Sequence, residues 1–140
     1  MAARREHLFE VFDRLIAIKN ECSSEIISEC GLADVTAKQV AYLKVIDGHR
    51  DMTFSRLAEI TRNSKPTVTE MVDRFTRMEC AYRQKCPPDD GRVTYIRLTE
   101  KGRMLANAEQ NALHRMIERV VRTLDENEVD LLVEILRKVG

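Results

Sequence analysis

Most of what would mark this 140-residue chain as an enzyme, a secreted protein or a membrane protein is missing from it. No apolar run approaches the roughly 20 residues that span a bilayer. The opening stretch, MAARREHLFEVFDRL, has no signal-peptide pattern, because Asp13 and Arg14 interrupt its apolar residues. A cytoplasmic protein without a membrane partner is expected. The four cysteines, Cys22, Cys30, Cys80 and Cys86, form no Cys-x-x-Cys pair, which argues against structural zinc, and they do not resemble a secreted disulfide framework. His7, His49 and His114 do not cluster in sequence. His114 and Glu118 are four apart on a helix, but two ligands make a poor metal site. There is no Gly-rich phosphate loop, no nucleophile motif and no paired acid and base. These absences point to a protein that is not an enzyme and carries no cofactor.

Net charge is absent too: 23 Lys and Arg balance 23 Asp and Glu. A zero total argues at first against a polyanionic partner, but distribution matters more than the sum. Between Phe54 and Arg97 nine basic residues face six acidic ones, a local balance of +3, which leaves −3 for the rest. The middle of the chain is mildly basic and its ends mildly acidic.

What is present is helical patterning in one domain long enough to bury a core. Leu8, Val11, Phe12, Leu15, Ile18, Cys22 and Ile26 recur at helical spacing, which predicts a first helix over residues 5–30 that stops at Gly31. Thr36 with Gln39 forms a capping box for a second helix ending at Gly48. Thr53 can cap a short third helix, FSRLAEI. Ser64 is the expected N-cap of a fourth, with Pro66 in its first turn, where a missing N–H costs little. Val68, Met71, Val72, Phe75 and Met78 make its apolar stripe, and Lys65, Thr67, Thr69, Glu70, Asp73, Arg74 and Arg77 its polar face. Two helices joined by a tight turn, the second polar outside, suit a helix-turn-helix. A solvated helix surface would show the same polar face.

Residues 83–102, RQKCPPDDGRVTYIRLTEKG, break this pattern. A polar turn, Pro87-Pro88-Asp89-Asp90-Gly91, precedes the β-prone Val93-Thr94-Tyr95-Ile96, so a hairpin is expected, with Arg92 just past its tip. Asp and Gly would suit such a turn for folding reasons alone. Thr99 opens a fifth helix running to about Arg122. Asp125 and Glu128 cap a sixth, expected to bury Val129, Leu132, Ile135, Leu136 and Val139.

The order helix, helix, helix-turn-helix, hairpin, two long helices resembles the MarR (multiple antibiotic resistance regulator) family of winged-helix transcription factors over nearly the whole chain. The most specific points are Ser64 with Thr67-Val68-Thr69, Asp90-Gly91-Arg92 at the wing tip, and Leu98-Thr99-Glu100-Lys101-Gly102. The final LDENEVDLLVEIL is also similar to the family's last helix. The chain departs from the pattern at Thr61-Arg62-Asn63, where apolar-Gly-apolar is common, at Glu70, where a basic residue is frequent, and at Glu79, often a Gly.

The resemblance implies a mainly α fold with a small β-wing. Residues 36–98 would be the winged helix-turn-helix, and residues 5–30 and 99–140 the dimerisation helices. It also implies a homodimeric repressor on a pseudo-palindromic double-stranded DNA site, with a small aromatic acid as effector bound between the dimerisation and DNA-binding regions. A helix fits the major groove with its first residues at base edges. Ser64, Lys65, Pro66, Thr67 and Thr69 open that helix; Thr67 and Thr69 can meet bases, and Lys65 can donate. Arg74 and Arg77 suit phosphates, which position without reading sequence. Arg92 suits a narrow minor groove, with Asp90 holding it in place.

Two alternatives stay open. One is a winged helix that binds protein instead of DNA, favoured by the neutral charge and Glu70. The other is a thiol or metal sensor. Cys80 and Cys86 bracket the first wing strand near Arg83 and Lys85, whose charges can lower a thiol pKa. Cys22 and Cys30, eight apart on one helix and so about 12 Å distant, cannot form a disulfide and read as small buried hydrophobes.

Overall fold

The structure, a computed structural model, describes residues 1–32, 34–85 and 93–140. Among the described residues seven helices and three short strands run in the order α1 (Ala2–Glu29), α2 (Ala37–Asp47), β1 (Met52–Thr53), α3 (Phe54–Thr61), α4 (Lys65–Arg77), β2 (Ala81–Lys85), β3 (Thr94–Leu98), α5 (Glu100–Ala106), α6 (Ala108–Arg122) and α7 (Glu126–Arg137). Among the described residues no helix is long and apolar enough to cross a membrane. Two compact units are present, Ile26–Ala108 and Met1–Glu25 with Glu109–Gly140.

In the first unit, local side-chain chemistry sets most helix starts. The Thr36 hydroxyl accepts from the Gln39 amide while the Gln39 side chain accepts from the Thr36 amide. Thr53, Ser64 and Thr99 cap α3, α4 and α5 through single hydroxyls. Such a cap is worth about 1 kcal/mol. Beneath these helices Leu43, Ile46, Met52, Leu57, Phe75, Ile96 and Leu105 are buried in one cluster. Each contributes about 1.5–3 kcal/mol by leaving water.

The expected hairpin is part of a three-stranded antiparallel sheet of order β1-β3-β2. Met52 pairs with Ile96, and Ala81 through Lys85 pair with Leu98 through Thr94. The third strand, two residues long, was not expected. On the outward face Arg97 fastens the sheet: its guanidinium donates to Gln84 Oε1, Asp51 Oδ1 and the Arg50 carbonyl and lies over the Tyr95 ring.

The expected fifth helix is two helices. The chain breaks at Asn107, whose side-chain amide donates to Asp47 Oδ2 on α2 (3.1 Å) and to the Arg103 carbonyl (2.9 Å). This tertiary bond interrupts the helical run, and the helix resumes at Ala108.

In the second unit α1 and α6 are joined by ion pairs, Lys19 to Glu109 at 2.6 Å and Arg119 to Glu21 at 3.7 Å. The Ser23 hydroxyl donates to Glu109. Exposed pairs of this kind contribute little, about 0–1 kcal/mol each. The Asp125–Glu128 capping box forms as expected. The burial expected for the last helix does not: no residue of α7 is buried, and Leu132, Ile135, Leu136 and Val139 are exposed. Leu8, Val11 and Phe12 of α1 are exposed as well. Among the described residues of the chain nothing covers these stripes.

Candidate nucleic-acid interface

Helix α4 separates its two tasks cleanly. Val68, Val72 and Phe75 are 0% exposed and anchor the helix in the core, whereas Lys65, Pro66, Thr67, Glu70, Arg74 and Arg77 are exposed and Thr69 is half-buried. Its first turn is held locally. The Thr67 amide donates to Ser64 Oγ (3.3 Å), the Ser64 and Thr67 hydroxyls lie 2.8 Å apart, and Pro66 occupies the first turn. Ser64, Lys65, Pro66, Thr67, Thr69, Arg74 and Arg77 thus share one helix and its cap. Among the described residues no ion pair engages Lys65, Arg74 or Arg77, so their charge is free for a ligand. Glu70 and Asp73 bring negative charge to the same helix.

The entry to α4 is braced by contacts with no local signal in sequence. The Asn63 side-chain amide donates to the Tyr42 hydroxyl on α2 at 3.0 Å, across 21 residues. Arg62, just before it, has φ 56°, in the left-handed region. Its amide donates to the Glu59 carbonyl and that of Asn63 to Ala58, the paired bonds of a Schellman ending. The exit from α4 repeats the device. Glu79 has φ 61°, the Glu79 amide donates to Thr76 and the Cys80 amide to Phe75 at 2.8 Å. Gly31 ends α1 in the same way with φ 73°. Two of the three departures from the MarR pattern, Arg62 and Glu79, therefore stand at left-handed positions where glycine is cheapest.

A cavity of about 290 Å³ opens between α2 and α4, lined by Lys38, Tyr42, Thr67, Met71, Arg74 and Phe75 among others. Apolar and aromatic walls are joined there by two cations and the Glu70 carboxylate, and the Lys38 ammonium lies 5.7 Å from the Tyr42 ring centre.

Cys80, expected as a redox candidate, is 0% exposed. Burial pushes its thiol pKa up, opposed by Lys101 and not by the wing cations Arg83 and Lys85. That disfavours the reactive thiolate. Cys30 is shifted upward by the same cause. Cys22 and Cys30 are buried, as expected of small hydrophobes. Cys86, Asp90 and Arg92 lie outside the described residues. The pair that sequence reading missed is Asp73 with Arg83, 2.6 Å apart, joining α4 to β2. Ten residues of separation across a helix end and a strand gave no periodic cue to it.

The model of the MarR family matches residues 35–94, from the N-cap of α2 into the wing. The chain is 27% identical over 140 residues to the HTH-type transcriptional regulator MhqR of Bacillus subtilis (strain 168), an alignment covering 100% of this chain and 94% of that one. Its fold is similar to that of a Staphylococcus aureus MepR mutant bound to an oligodeoxyribonucleotide, with TM-score 0.64, 21% identity and coverage of 96% of this chain and 94% of that one. It is similar also to the YusO protein of Bacillus subtilis, with TM-score 0.61, 22% identity and coverage of 99% and 93%. The chain is thus similar to the MarR family over its winged-helix segment, and along its whole length to a relative described as a transcriptional regulator.

Proposed function

We propose that this protein is a homodimeric, sequence-specific regulator that binds double-stranded DNA, acts as a repressor in the cytoplasm and responds to a small effector. The observation that carries the DNA reading is α4 itself: a helix anchored by three fully buried residues that presents hydroxyls in its first turn and unpaired cations further along. Helix first turns reach base edges in the major groove, and arginines behind them suit phosphates. The similar MepR structure that holds an oligodeoxyribonucleotide supports this assignment.

Dimerisation is supported by α7, a 12-residue helix without one buried residue, and by the uncovered Leu8, Phe9 and Phe12 of α1. A second copy would cover these stripes and give two recognition helices for a pseudo-palindromic site, with half-sites about one helical turn apart. Effector binding is assigned to the cavity between α2 and α4, which lies inside the DNA-binding region and not at its junction with the dimerisation helices, where the resemblance implies it. An aromatic carboxylate can lie against Tyr42, Met71 and Phe75 with its charge toward Arg74 or Lys38, and would compete there with DNA.

Fluorescence anisotropy on the full-length protein, with random duplex at low and high salt, tests the DNA reading. Salt-sensitive binding is the expected result, and selection from a random library should then yield a pseudo-palindrome. Absence of binding at low salt would favour a protein-contacting winged helix.

A further inference from the structure

Arg83 stands on β2 opposite Ile96 of β3, and Ile96 stands opposite Met52 of β1. Directly opposed residues of antiparallel strands share a face, so Arg83 continues a row whose other two members are 1% and 0% exposed. Arg83 is the solvent-exposed end of that row, and its guanidinium has two partners there. Its Nη2 lies 2.6 Å from Asp73 Oδ1 on α4, and its guanidinium lies 4.9 Å from the ring centre of Phe54, the first residue of α3. One side chain thus touches both helices of the helix-turn-helix from the first strand of the wing. Asp73 follows Thr69 by one turn of α4, on the side proposed to face DNA, where a bare carboxylate would repel phosphates. Both members of the pair are about half exposed, so the bond adds little to stability. What it sets is geometry and charge.

We propose that Arg83 is a positioning residue for DNA recognition: it fixes the wing strand against α4 and masks Asp73 from the phosphate backbone, without contacting DNA itself. The proposal rests on the DNA-binding reading above. It deepens that reading by naming what makes recognition helix and wing engage one site together.

The test uses full-length protein, a duplex selected by the wild type, anisotropy across a salt series and hydroxyl-radical footprinting. Arg83→Gln should keep the wild-type circular dichroism and melting temperature yet lose about tenfold in affinity. Protection should vanish over the flanking segments assigned to the wing and persist over the major-groove bases read by α4. The charge-balanced double variant, Asp73→Asn with Arg83→Gln, separates masking from geometry. It should recover part of the affinity, because the carboxylate is gone, while the wing footprint stays lost. A salt slope lowered by about 2 in Arg83→Gln, one phosphate contact per protomer, with the wing footprint retained and no recovery in the double variant, would make Arg83 a direct phosphate ligand and overturn the proposal. Wild-type affinity and footprint in Arg83→Gln would overturn it equally. Wild-type protein that binds no duplex would remove the DNA reading and this proposal with it, whereas wild-type binding beside an indifferent variant removes this proposal alone.

Discussion

Gly102 lies so close to the backbone of Cys80 that a side-chain carbon added to it would overlap the Cys80 carbonyl. The same carbonyl accepts from the Thr99 amide at 3.0 Å, and the Thr99 hydroxyl donates to the Glu79 carbonyl at 2.7 Å. The start of α5 is thereby seated on the exit from α4. Gly102→Ala should cost about 1–3 kcal/mol through overpacking, although alanine favours helix. A urea midpoint unchanged from wild type would show that the two segments can part without penalty.

Arg62 and Glu79 hold left-handed backbone that costs a non-glycine residue roughly 1–2 kcal/mol. Glycine removes that cost but returns about 0.4–1 kcal/mol of entropy to the unfolded chain. Arg62→Gly and Glu79→Gly should each stabilise the protein by up to about 1 kcal/mol, read as a rise in urea midpoint at constant slope. A lower midpoint would show that these side chains make contacts worth more than the strain.

The buried thiols give the protein an alkaline weakness. Burial raises the Cys30 and Cys80 pKa in the folded chain, so the unfolded chain loses these protons first. Their contribution is fully present below the ordinary thiol pKa of about 8.5 and is lost as pH rises toward the folded values. Unfolding free energy should therefore fall above about pH 8.5. The Cys30→Ala, Cys80→Ala variant should be less stable at neutral pH yet flatter in that range. Rapid reaction of Cys80 with a thiol reagent in the native protein would contradict its burial.

Base reading and phosphate contact should separate by mutation. Thr67→Ala or Thr69→Ala should cost about 1–3 kcal/mol on the selected duplex with little change in salt slope. Arg92→Ala, which removes two cations from a dimer, should lower the slope by roughly 2 and spare more of the preference for specific over random DNA. Wild-type affinity and salt dependence in Arg92→Ala would leave Asp90-Gly91-Arg92 without a part in DNA binding.

Removing residues 125–140 should uncover the apolar surfaces that α7 is proposed to share with a second copy. Aggregate or unstable monomer is expected from the truncated chain, and a dimer from the intact one at micromolar concentration by light scattering. A well-folded full-length monomer would end the dimer assignment.

Helix starts were legible in sequence because capping is local: Thr36 with Gln39, Ser64, and Asp125 with Glu128 each act across three residues, and each forms its bond. The apolar stripe of α4 was legible for the same reason, since one helical period carries it. Features made by distant partners were not. Strand β1 is two residues long and exists through pairing with Tyr95 and Ile96. The break at Asn107 depends on Asp47, 60 residues away. The Tyr42–Asn63 and Asp73–Arg83 contacts likewise join segments that no periodicity relates. The apolar stripe of α7 was legible as well, but apolar spacing marks a face to be covered and does not say which chain covers it.

The arrangement of α4 also bears on how such a protein can change its address. Its anchor residues, Val68, Val72 and Phe75, and its exposed residues, Lys65, Thr67, Arg74 and Arg77, are disjoint sets, and the backbone part of the Ser64 cap uses the amide of residue 67, which any residue but proline supplies. Exchanging the exposed set should redirect the helix to another duplex sequence while the core beneath it stays packed, so new target sites are reachable by single substitutions without passing through an unfolded intermediate protein.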